Sequence, residues 1–431
     1  MDFTKYKISE IAKIKSGKRL PAGSCFSSTP TLYPYVRARD IKNGKINTEE
    51  FVYITEDTRK AIKKYIIEKG DIAITIVANI GDIGFCCEDC NKANLTENAV
   101  RLTEFNNEIV DSKYLSLYLN QPIMKRYMES LAAGAAQAKL GIYKIEKIKV
   151  YLPPVIYQRC IASILSAYDN LIENNNKRIR LLEQMAENLY KEWFVRFRFP
   201  GHEKAEFENT KLGKLPTSFS VTNMDSVFED YIGGGWGNDD ESEDFPISAC
   251  VIRGADFPNV WHYDVSTCPR RYHKKNNYKA RQLQDGDIVM EISGGTSEQP
   301  VGRTVLVTQD MIDRFEGGRV ICASFCKMIR LKKEIISPYF FYFWMHYLYD
   351  TRIIDRFQLQ STGIINFKFE PFLKKGIVML PPKELMQSFE DKINPIFKEI
   401  NQLAIQNENL SRQRDLLLPR MMSGKLEVNV Q

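Results

Sequence analysis

The sequence predicts an α+β protein: two pseudo-repeated mixed α/β domains, joined and spaced by two long antiparallel helices that form a coiled coil. Three observations predict it. The chain repeats itself along its whole length, each repeat closes on a Leu-Pro-Pro motif, and apolar residues in heptad spacing follow each motif.

Four blocks recur at one offset. ISEI (8–11), KSG (15–17), VRARDI (36–41) and KGDIAI (69–74) are answered 216 positions later by MDSV (224–227), YIG (231–233), IRGADF (252–257) and DGDIVM (285–290). AVRL (99–102) is answered by MIRL (328–331), and VYLPP (150–154) by VMLPP (378–382), at offsets of 229 and 228. The second copy therefore carries insertions, expected in its loops. KGDIAITIV and DGDIVMEIS each set a tight turn before an apolar, β-branched run, which predicts a strand. SKYLSLYLNQ and SPYFFYFWMHYLYDTRIIDRF predict helices. These signals assign one domain to 1–155 and the other to 200–382.

The long helices are expected over 156–199 and 383–431. In the first, Ile161, Leu165, Tyr168, Ile172, Asn175, Ile179, Leu182, Ala186, Leu189 and Trp193 alternate in steps of four and three. The second has Phe389, Ile393, Ile396, Ile400, Leu403, Asn407, Leu410, Arg414 and Leu417. A sustained 3.5-residue period favours pairing helix with helix. Because the two segments flank a whole domain, antiparallel pairing is the simplest closure. The alternative is two ordinary amphipathic helices, each packed on its own domain. Pro395 predicts a kink or a late start in the second helix. Asn175, Asn407 and Arg414 are polar seam positions, expected to fix register or to meet a partner protein.

Bulk properties exclude several classes. The 431 residues are 44% hydrophobic and 26% charged, with a net charge of +6, which is ordinary for a globular protein and compatible with a polyanionic partner. No run of about 18 apolar residues is present to span a bilayer, and the charged N-terminal stretch lacks the apolar core of a signal peptide. A cytoplasmic location without membrane association is expected. The nine cysteines should then be reduced; neither the Cys86, Cys87, Cys90 cluster nor Cys322 with Cys326 has a second ligand pair at zinc spacing, so no metal site is expected.

Two diverged domains, each closed by LPP and a long helix, resemble the specificity subunits of type I restriction-modification systems. The matching pieces are LPPVIYQRCIASILSAYDNLIENNNKRIRLLEQMAENLYKEWF (152–194) and QRDLLLPRMMSGKL (413–426). The resemblance covers essentially the full length, and the helical segments carry most of it. It implies that each domain is a target-recognition domain reading half of a split double-stranded DNA site. It further implies that the paired helices act as a spacer and dock two DNA adenine methyltransferase subunits, joined by nuclease-translocase restriction subunits. The loops GAAQAKLGI (134–142) and QSTGIINF (360–367) resemble the family's short segment before the LPP strand. The family's Pro-Pro-x-x-x-Gln pattern holds at Gln158, whereas Met386 stands at that place in the second copy.

Base readout needs Arg, Lys, Asn or Gln at groove edges, and phosphate contacts need cations or backbone N–H groups. The densest cluster is PRRYHKKNNYKARQ (269–282), with Arg270, Arg271, His273, Lys274, Lys275, Asn276 and Asn277 as candidates; a solvated loop is the alternative. In the first domain the candidates are Lys18, Arg19, Arg37 and Arg39. Arg37 recurs as Arg253, and the repetition equally fits pairing with the repeated Asp40 and Asp256. Loop candidates are Asn79, Gln137 and Lys139 in the first copy, and Gln360 and Ser361 in the second. GGGWGNDDESED (233–244) lacks the Lys-Ser/Thr of a phosphate loop and is read as a flexible loop.

No catalytic site is visible and no cofactor is expected. LPPV and LPPK put leucine where an amino-methyltransferase needs a polar residue for the flipped base. No Walker A sequence is present. The competing reading is a non-catalytic coiled-coil scaffold, or an orphan DNA-binding protein without a restriction role.

Overall fold

The computed structural model describes residues 2–133, 138–296, 299–361, 364–426 and 428; the side chains of 360 and 361 are outside the description. The chain forms two compact units, one of residues 1–170 with 410–431, the other of 171–409. The division falls inside both long helices, which run Val155–Tyr190 and Lys383–Met422.

The first unit is built on a six-stranded sheet in which Ala99–Thr103 lies between Lys13–Ser16 and Ile72–Thr75. A smaller sheet pairs Pro34–Val36 in parallel with Asn94–Leu95. The opening strand Thr4–Lys7 pairs antiparallel with Lys149–Leu152, so the domain is tied shut just before its long helix. The second unit repeats each of these pairings. Cys326–Leu331 lies between Phe228–Gly233 and Ile288–Glu291, Ile247–Ile252 runs parallel to Val320–Cys322, and Ser220–Asn223 pairs with Ile377–Leu380.

The repeated blocks have a packing reason. Asp71, from KGDIAI, meets Arg101, from AVRL, at 2.6 Å with both side chains buried. Asp287 and Arg330 make the same pair in the second unit, through two bonds of 2.7 and 2.8 Å. The VRARDI and IRGADF blocks each close a short 3-10 turn: Arg37 grips Asp40, and Arg253 grips Asp256, by matching bonds of 2.9 and 2.8 Å. One glycine is reassigned. The 216-residue offset matches Gly17 to Gly233, but the close approach recurs at Gly234. A Cβ on Gly17 would lie 1.9 Å from the Thr96 carbonyl oxygen, and one on Gly234 would lie 2.1 Å from that of Ala323. Gly233 faces open space. A bulge between Phe228 and Asp230 shifts the strand and moves the constraint along the chain.

The helices pair antiparallel within each unit. In the first, Ile161 and Leu165 share a core with Met421 and Met422, and Asp169 meets Arg414 at 2.7 Å. In the second, Ile179 packs with Ile400 and Leu403, Ala186 and Tyr190 pack with Phe389 and Ile393, and Arg178 meets Glu399 at 2.6 Å. Ile172, Leu182, Leu189, Leu410 and Leu417 are half-buried along the same seam. Pro395 neither breaks nor delays the second helix, which begins at Lys383 and is continuous through it. Pro395 removes the N–H that would meet the Asp391 carbonyl, and both residues are exposed, where solvent can reach. The central helix ends earlier than residue 199, in a π-turn over Lys191–Val195, and the C-terminal one ends at Met422 rather than at 431.

Candidate nucleic-acid interface

The same clamp forms in both units, immediately beyond the buried strand. In the first, the Leu140 N–H donates to the Ile76 carbonyl at 3.0 Å and Val77 bridges Lys139. This brings Asn79 and Lys139, both exposed, to one edge of the domain. In the second, the Phe367 N–H donates to the Ile292 carbonyl at 2.8 Å, and Ser293–Gly295 pairs with Ile364–Phe367. The strand Gln358–Ser361 pairs on the other side, so the Gln360 and Ser361 backbone lies in a strand paired with Ile365 and Ile364 rather than in the expected loop. Gln137 lies outside the described residues.

In the first unit Lys18 and Arg19 follow the constrained Gly17. The Lys18 ammonium lies 5.8 Å from the Tyr65 ring centre, and Arg19 meets Glu97 at 2.7 Å on the surface. Arg39 is exposed beside the 3-10 turn. The guanidinium groups of Arg37 and Arg253 are already committed. Besides their aspartates, they donate to the Glu50 carbonyl at 2.6 Å and the Thr267 carbonyl at 2.8 Å. These bonds fit the structural alternative stated for the repeated arginines.

The basic cluster folds as the strand Arg270–His273 and the helix Lys275–Arg281. Alternation along the strand sends His273 inward, where it is 1% exposed, so it presents no group to a DNA groove. Burial, aided by Arg271, lowers its pKa below the usual histidine value. Arg270 pairs with Glu316, and Arg271 pairs with Asp239 while lying 4.7 Å from the Trp236 ring centre. Lys274, Lys275, Asn276 and Asn277 are exposed and line a cleft with Glu243, Asp244 and Pro246. Asn277 also accepts from Arg281.

The GGGWGN segment is pinned rather than loose. The Gly234 and Gly235 N–H groups donate to the Cys326 and Cys322 carbonyls at 3.0 and 2.9 Å, and Asn238 bridges Tyr272. The acidic run after it lies against the cationic strand and helix. Sequence reasoning missed Phe325, a 64% exposed ring in the turn between Val320–Cys322 and Cys326–Leu331, next to this pinned segment. A lone aromatic in a turn carries no periodic signal.

Among the described residues no His, Cys, Asp and Glu group has metal-site geometry, and no helix is long and apolar enough to cross a membrane. Cys86, Cys90, Cys322 and Cys326 are buried, and burial helps push the Cys322 thiol up to about 12.

Residues 1–184 match the family described as type I restriction modification DNA specificity domain. The chain is 24% identical over 442 residues to the type I restriction enzyme MjaIX specificity subunit of Methanocaldococcus jannaschii, covering 97% of this chain and 94% of that one. It is 23% identical over 456 residues to the type I restriction enzyme HindI specificity subunit of Haemophilus influenzae, covering 93% and 95%. The crystal structure of the type I restriction-modification system S subunit from M. genitalium shares the fold, with a TM-score of 0.58 at 13% identity over 98% of this chain and 96% of that one. Duplicated domains, LPP-linked paired helices and end-to-end likeness converge: residues 1–184 match a type I restriction modification DNA specificity domain, and the chain along its length is similar to type I restriction enzyme specificity subunits.

Proposed function

We propose that each domain reads one half of a bipartite, asymmetric double-stranded DNA target, and that the paired helices set the spacer and dock two DNA adenine methyltransferase subunits. Nuclease-translocase subunits join through these, and the chain itself performs no chemistry, in the cytoplasm. The observation that carries this reading is the duplicated clamp, whose framework is shared while its exposed residues differ: Asn79 and Lys139 on one copy, Leu359 and Ile364 on the other. A shared framework with unlike surfaces fits two unlike half-sites. Apolar side chains left exposed on the long helices, Leu181 and Met185 in one unit and Ile156 and Leu416 in the other, fit partner docking.

The proposed DNA contacts narrow to Lys18, Arg19, Arg39, Asn79, Lys139, Lys274, Lys275, Asn276 and Asn277, with Gln360 and Ser361 at the end of their strand. Arg37 and Arg253 serve their turns, and His273 serves the core. The test exchanges residues 1–150 for those of another family member and sequences the methylated sites. A change confined to one half-site is expected. A change in both halves would overturn the one-domain, one-half-site reading.

A further inference from the structure

The second unit holds a cavity of about 270 Å³ outside the proposed interface. Two helices build it through their four-residue spacing. Glu183 and Glu187 share one face of the central helix, and Tyr342, His346 and Asp350 share one face of the helix Pro338–Asp350. Trp261, Tyr349 and Phe397 complete an aromatic wall. The His346 ring is tilted by 50° against Tyr342, ring centres 4.2 Å apart, and its centre lies 5.8 Å from that of Trp261. Its ring nitrogen faces the Thr304 carbonyl at 3.3 Å, and burial lowers its pKa, so it is neutral near pH 7.

The charge balance of the lining is acidic. Arg303 is committed to Glu291 by bonds of 2.8 and 2.9 Å and to the Gly254 carbonyl. His262 meets Glu183 at 3.1 Å, and Lys191 meets Glu187 at 3.3 Å as a half-exposed surface pair of the weak kind. Asp350 has no ion-pair partner among the described residues. Thr304 is among the lining residues, and its carbonyl oxygen accepts from the Trp261 ring N–H at 2.9 Å.

We propose that this cavity binds a small organic cation, an alkylammonium or guanidinium group, held between the carboxylates and the aromatic faces. Ring quadrupoles attract a cation within about 6 Å of the ring centre, most strongly when it is shed of water, and a carboxylate shortens and strengthens the N–H···O bond. An anion would face three carboxylates, and a neutral apolar guest would leave Asp350 without a donor.

The test is calorimetric titration of the full chain with agmatine, which carries both cationic groups, and with N-butylurea as a neutral isostere. Saturable one-to-one binding of agmatine is expected, with none by N-butylurea. Asp350→Asn and Glu187→Gln, both at accessible positions and checked for unchanged melting, should each weaken agmatine at least about tenfold, equal to about 1.4 kcal/mol. Equal binding of N-butylurea, unsaturable agmatine binding, or unchanged affinity in both variants would overturn the proposal.

Discussion

Asn175 donates its side-chain amide to the Asn407 side-chain oxygen at 3.0 Å, a polar pair at seam positions of two otherwise apolar helices. Asn407 donates onward to Asn176 at 2.8 Å. Each helix thus carries one position that is satisfied only in this register. Asn175→Ala leaves Asn407 short of a partner and should destabilise by about 1–3 kcal/mol. The double change to leucine at 175 and 407 should raise the melting temperature while relaxing register, since an apolar pair tolerates slippage. Thermal melts, with cysteine cross-linking across the seam to read register, check both outcomes. A double variant less stable than either single one would refute this account of the pair.

The buried Arg–Asp pairs make a sharper stability prediction. Removing the arginine strands a buried aspartate, Asp71 or Asp287, so Arg101→Ala or Arg330→Ala should cost about 3–5 kcal/mol in denaturant unfolding. Arg39→Ala, at an exposed position, should stay within about 0.5 kcal/mol of the parent. Similar losses for the buried and exposed changes would mean that the pairs do not hold the sheets.

These pairs also explain what the sequence made legible. The repeat blocks stood out because two domains need the same Asp at the turn and the same Arg on the central strand, so self-similarity reported packing. The heptad seam was legible because burial follows period. The reason for the Gln158 pattern was hidden. Gln158 accepts from the Asp111 N–H at 2.9 Å and donates to the Ile109 and Pro153 carbonyls, tying a helix start to the LPP turn. In the second unit Met386 is buried in the core, and one turn later Glu390 accepts from Ser337 at 2.7 Å. Local spacing cannot reveal a substitute tie between distant segments. The inward turn of His273 was equally hidden, because a dense polar run masks strand alternation.

Histidines give the pH dependence two opposite limbs. Burial lowers the pKa of His346, so below pH 6.5 the unfolded chain takes up a proton that the folded chain refuses, and stability falls as pH drops. Glu183 raises the pKa of His262, so that contribution is complete below pH 6.5 and is lost as pH rises through the raised value. Melting temperature followed from pH 5 to 8 should therefore fall on the acid side in the parent and fall less steeply in His346→Gln, with buried His273 keeping part of the limb. An unchanged acid limb in that variant would assign it to other groups.

The acidic run beside the basic cluster predicts two opposite effects on DNA. Lys275→Ala should weaken binding to all sequences and lower the salt slope by about one counter-ion. Asp239→Asn with Glu243→Gln and Asp244→Asn frees Arg271 and the neighbouring lysines, and should tighten non-specific binding most at low salt. Filter binding across a salt series reads both. Parallel changes in the two variants would place the cluster away from DNA.

The central claim is that this chain chooses the methylated site. Modified-base sequencing of genomic DNA, from cells expressing the chain with its methyltransferase and from cells lacking the chain, tests it most directly. The account predicts a split, asymmetric methylated motif that disappears when the chain is removed. A motif that persists without it would contradict the account.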